Sequence, residues 1–137
     1  MDFDTQYDLA MASLKQTPIL EGNYAPPLHR LLRSQGFKIR PPHFSSAFSN
    51  ILMTGIPFAI VWGFLMWLLV WEDASLPSSI AIYAGGSAGL LFGVMLSIYY
   101  RWAARRHELP RWEDLPSLAD RLQSNPDIDE NDLDAQP

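Results

Sequence analysis

Three histidines, His29, His43 and His107, are the side chains of this 137-residue chain best suited to hold a metal or a haem iron. His43 stands just before one long apolar run and His107 just after another, so the two would reach similar depth if the runs paired as helices. Paired haem ligands are sheltered between helices, whereas these lie among Arg40, Arg101, Arg105 and Arg106. The expectation is ordinary interfacial histidines, with no metal and no cofactor. Asp127, Asp129 and Asn131 imitate the first three ligands of a calcium loop. Asp132 then occupies the place that needs glycine, and no bidentate Glu follows at the twelfth position. The absence of cysteine removes disulfides, thiolate ligands and thiol nucleophiles. Gly85, Gly86, Gly89 and Gly93 fall inside an apolar run and not after a strand, so they do not form a nucleotide-binding loop. With no Ser, His and Asp arrangement and no carboxylate pair on one rigid element, no catalytic residue is assigned and no enzyme is expected.

Two uncharged stretches dominate the chain. Positions 41–71 and 74–100 contain no Asp, Glu, Lys or Arg, and each exceeds the roughly 20 apolar residues that a helix needs to cross a bilayer. The mean hydropathy of −0.02 averages these runs with polar ends. A soluble globular enzyme is thereby largely excluded, and the expected fold is an all-α membrane protein: a two-helix transmembrane hairpin, with spans at about 46–71 and 78–100. The polar, proline-broken first 40 residues do not read as a signal peptide, so the first span is expected to target the chain itself. Arg30, Arg33, Lys38 and Arg40 precede the first span, and Arg101, Arg105, Arg106 and Arg111 follow the second. The intervening loop, from Glu72 to about Ser79, has no cation. Basic flanks are retained on the cytoplasmic side, which predicts a multi-pass protein of a bacterial inner (plasma) membrane with both termini cytoplasmic. Trp67 and Trp71 at one end, and Tyr99, Tyr100 and Trp102 at the other, suit the aromatic belts of the two interfaces. With Arg40 and Arg101 they form the expected anchoring set.

Each span carries small residues at spacings of four: Gly55, Ala59 and Gly63 in the first, and Ala81, Gly85, Gly89, Gly93 and Ser97 in the second. Such stripes let helix backbones approach closely. They are expected to form a helix–helix interface, either by closing the hairpin on itself or by mating with another protein. Pro57 removes one hydrogen bond, to the carbonyl of Met53, and Thr54 is near enough to satisfy that carbonyl. No Asp, Glu, Lys, Arg or His lies within either span, so the usual marker of a proton or ion path is missing.

The flanks read as short amphipathic helices. Residues 4–16 place Tyr7, Met11 and Leu14 on one side, with Phe3 a turn earlier and Asp4 or Thr5 as cap. A second helix starts at Pro26 and Pro27, carries Leu28, Leu31 and Leu32 beside His29, Arg30 and Arg33, and stops at Gly36. It could lie on anionic headgroups or pack on a neighbour. A third, Glu113 to Gln123, uses Trp112, Leu115, Leu118, Ala119 and Leu122 and ends at Pro126. The organisation expected is thus an N-terminal helical segment at 1–40, the hairpin at 41–103, a C-terminal helix at 104–125 and a disordered tail at 126–137. Asp127, Asp129, Glu130, Asp132 and Asp134 give that tail −5, the whole formal charge of the chain. The balanced remainder has no basic stripe for nucleic acid.

Asn23-Tyr24-Ala25-Pro26-Pro27 followed by Leu28-His29-Arg30-Leu31-Leu32, then Pro41-Pro42-His43-Phe44, Trp62-Gly63-Phe64-Leu65-Met66-Trp67, Tyr99-Tyr100-Arg101 and Leu109-Pro110-Arg111-Trp112-Glu113, occur in this order. Over about residues 5–116 the chain resembles a family of small bacterial membrane proteins of unknown function. The resemblance implies a two-span inner-membrane protein and no particular activity. The functional expectation is an accessory or interaction subunit that uses its glycine-striped face and cytoplasmic helices. Its partners would be the lipid bilayer and either a membrane protein or further copies of itself, with no nucleic acid. An oligomeric pore or small transporter is the alternative.

Overall fold

The computed structural model describes residues 1–71 and 77–124, and all regular structure among them is helical. The chain divides into two compact units, Ser45–His107 and Met1–Phe44 joined with the chain from Glu108 onward. Residues 1–44 and 108–124 thus share one unit, while residues 104–107, expected with the C-terminal helix, stay with the helix pair. The Asp-rich tail and most of the loop after Glu72 lie outside the described residues.

The central unit is a pair of long helices. The first, α4 (Ala47–Met66), is capped by Ser46, whose hydroxyl accepts from the Ser49 N–H at 3.2 Å. It continues as a π-helical turn at Trp67–Trp71, which the sequence pattern did not announce. Pro57 does not interrupt α4. Thr54 does not serve the Met53 carbonyl as expected: its hydroxyl donates to Asn50 O at 2.7 Å, the acceptor one turn before it. The second helix, α5 (Ser78–Arg106), is 29 residues long. Residues Ala47–Val70 and Ser78–Arg106 are long and apolar enough to cross a membrane, their most apolar 18-residue windows having mean hydropathies of 2.0 and 1.7. Within their most apolar windows 6% and 17% of residues are buried, so most of that apolar surface faces outward.

The other unit gathers both chain ends. Helix α1 (Phe3–Lys15) is capped by Asp2, not by Asp4 or Thr5; the Asp2 carboxylate accepts from the Thr5 N–H at 2.8 Å. This hydrogen bond also holds the Asp2 carboxyl below its ordinary pKa. A single turn, α2 (Glu21–Tyr24), was not expected. Helix α3 (Pro27–Ser34) begins on proline and closes through Gly36, at φ +87°, where Phe37 N–H reaches back to Leu32 O at 3.1 Å. That left-handed turn is the one for which glycine is suited. Turns of 3₁₀ helix follow at Pro42–Phe44 and Trp112–Asp114, and α6 (Leu115–Ser124) packs on α1. The third amphipathic helix thus starts two residues later than its periodicity suggested, because Trp112–Asp114 wind more tightly.

Candidate interaction surfaces

The small-residue stripes of α4 and α5 face each other. A β-carbon placed on Gly89 would stand 2.5 Å from both Gly55 O and the Ala59 β-carbon. One placed on Gly55 would stand 2.6 Å from Gly89 O, and one on Gly93 2.6 Å from Ile51 O. No real side chain fits at such distances, so glycine is required where the helices cross. The seam loosens away from this point: a β-carbon on Gly85 would be 3.4 Å from Ala59 O, and one on Gly63 3.8 Å from the Gly85 α-carbon. Ser97 donates its hydroxyl to Ala47 O at 3.2 Å, which fixes the far end of the antiparallel register. Ala81 is half-buried near the start of α5. Gly86, by contrast, faces open space.

Two features of this interface escaped the sequence reading. Phe58 and Phe92 stack across the helices with ring centroids 4.1 Å apart and planes 14° from parallel. Asn50 is fully buried in α4, only 1% exposed. Its signal was present: an amide in an apolar run is costly toward lipid and so belongs on a helix-facing side. The aromatic pair left no such signal, since phenylalanine is at home on either face.

The expected anchoring residues separate. Trp67, Arg101 and Trp102 are exposed and Tyr99 is half-buried, with its ring 6.4 Å from that of Trp102. Tyr100 is 4% exposed, so its ring is a packing group and not part of an outer belt. Arg40 is engaged by Glu113 at 3.2 Å and lies 5.1 Å from the Trp112 ring centroid. The Trp71 side chain lies outside the described residues.

In the unit made of the chain ends, Trp112 is the hub. Its ring meets Phe3 at 5.4 Å and Phe44 at 6.2 Å, and its carbonyl accepts from the Gln6 side-chain amide. Arg33 reaches from α3 to α1, with its guanidinium 3.9 Å from the Tyr7 ring centroid and 3.1 Å from Asp4 Oδ1. Burial pushes the Tyr7 hydroxyl pKa up, and the Arg33 charge opposes that. Leu14, Leu115 and Ala119 complete the apolar interior. The leucine face expected of α3 is divided: His29 is buried, Leu28 and Leu32 are half-buried, and Leu31 is exposed. Burial lowers the His29 pKa from its usual value near 6.5. Among the described residues no three His, Cys, Asp or Glu side chains gather as a metal site would need.

Residues 1–115 match a family of unknown function, DUF6404, and the chain belongs to that family. The match takes in the whole α4–α5 pair and the Trp112 hub. No curated protein and no solved structure matches the chain.

Proposed function

We propose that the chain is a two-span membrane protein of a bacterial inner membrane that serves as an accessory or interaction subunit. The glycine stripe closes the hairpin, and the unit built from the chain ends offers the contact surface. The observation that carries this reading is the folding of residues 1–44 and 108–124 into one unit, with a long apolar helix pair between them in sequence. Segments that fold together must lie on the same side of any membrane crossed, which requires an even number of crossings. The cations flanking the pair favour the cytoplasmic side. Since the glycines at the crossing are filled by backbone from the same chain, a partner is met by the outward faces and by the folded ends.

Extraction of the full chain in mild detergent, followed by mass measurement of the intact assembly, tests the proposal. A heteromeric complex that is lost in Trp112→Ala, while the hairpin stays in the membrane fraction, is the expected result. A homo-oligomer indifferent to Trp112→Ala would favour the pore alternative, and a bare monomer would contradict both.

A further inference from the structure

The register of the helix pair leaves one end of α5 without a partner from α4. Ser97 lies opposite Ala47, the first residue of α4, so residues 98–106 overhang the pair by about 13 Å at 1.5 Å per residue. The segment 78–97 by itself matches the ~30 Å hydrocarbon thickness of a bilayer. The overhang therefore crosses the headgroup layer, about 5–8 Å deep on each side, and emerges beyond it.

One face of α5 runs through this boundary without a break. Leu91, Met95 and Ile98 are exposed and recur at spacings of four and three; Trp102 and Arg105, also exposed, extend the same spacing. Arg101 lies one turn after Ile98, and Arg106 one turn after Trp102. Arg101, Arg105 and Arg106 are exposed and form no ion pair among the described residues. No carboxylate occurs in positions 74–107, and Glu108, just past α5, forms no ion pair with them among the described residues. Along one face, then, aliphatic side chains give way to an indole and then to guanidinium groups.

We infer that this face binds an anionic phospholipid, with its acyl chains along Leu91, Met95 and Ile98 and its phosphate held by Arg101 and Arg105. The inference rests on the two-span reading and adds a preferred lipid to it. Arginine suits the role because its planar fork donates two hydrogen bonds to phosphate oxygens. Trp102 sits at the level where an amphipathic ring is most stable, between chains and headgroups. A zwitterionic lipid offers the same phosphate but brings its own cation, so the excess positive charge of the overhang discriminates against it.

The test uses the full chain in bilayers of equal phosphatidylglycerol and phosphatidylcholine, with the lipids retained on the protein counted by native mass spectrometry. Phosphatidylglycerol is expected to be enriched, and Arg101→Gln with Arg105→Gln to cut that enrichment by about fivefold or more, since each surface cation is worth roughly that factor. Raising salt should also erode the enrichment in the unaltered protein. Equal retention of the two lipids, enrichment that survives the double substitution, or enrichment indifferent to salt would each overturn the inference. A dye on Leu91→Cys, clean in a chain without cysteine, keeps the two readings apart. Quenching of the dye by spin-labelled acyl chains upholds the membrane-spanning pair whatever the lipid count shows. A water-exposed dye would sink the two-span reading, and this inference with it.

Discussion

At Gly89 and Gly93 the facing backbone leaves no space for a methyl group, so Gly89→Ala and Gly93→Ala should each weaken the helix pair by about 1–3 kcal/mol, as overpacking does elsewhere. Gly63→Ala and Gly86→Ala meet ordinary contact or open space and should stay within about 0.5 kcal/mol of the parent. Unfolding titrations of the four variants in detergent check this gradient, and equal effects at all four positions would mean that the seam is not where the strain falls. His29 supports a second prediction. Its folded pKa is lowered by burial, so the unfolded chain binds the proton more readily. Stability is then fully present above about pH 6.5 and is lost as pH falls through the lower folded value. Replacing His29 with Gln should flatten that part of the stability profile of the terminal unit, followed by hydrogen exchange of α3 between pH 5 and pH 7.5. An unchanged slope would assign the pH dependence to another group.

Among the elements, α3 is tied to α1 by Arg33, and Trp112, at the entry to α6, ties α1 to the chain around Phe44. Truncation to Trp112→Ala should cost about 3–5 kcal/mol, the usual loss for a large buried aromatic. Amide exchange should then rise in α1 and α6 while α4 and α5 keep their protection; a uniform rise through all four helices would show that the two units unfold together. What the sequence made legible at this scale follows from its periodicities. The two charge-free runs marked α4 and most of α5, which continues six residues past the second run to Arg106, and the spacing of Tyr7, Met11 and Leu14 marked α1. The four-residue spacing of glycines marked residues that do meet across the helix pair, because a missing side chain is visible in sequence and its consequence is local. The π-helical turn at Trp67–Trp71, the single-turn α2 and the tight winding at Trp112 were not legible, since each departs from the periods that pattern reading assumes. Nor was the division of the leucine face of α3, which is set by what packs against it and not by its own residues.

For the molecule as a whole, length and charge pattern foretold two apolar helices with basic flanks, yet placed the two chain ends in separate segments. Their union could not be read from either end alone. It depends on Trp112 finding Phe3, Phe44 and Gln6, and residues some 70 to 110 positions apart in sequence leave no joint periodicity. On the proposed membrane reading that union ties folding to topology, because α1 and α6 can share an interior only if a crossing helix pair returns the chain to the side from which it left. Single cysteines at Lys15, Pro77 and Ser124, each in the cysteine-free chain, can be challenged with a membrane-impermeant maleimide on intact spheroplasts and again after lysis. The account predicts labelling of Pro77→Cys before lysis, and of Lys15→Cys and Ser124→Cys only after it. Labelling of Lys15→Cys and Ser124→Cys from opposite sides would contradict it.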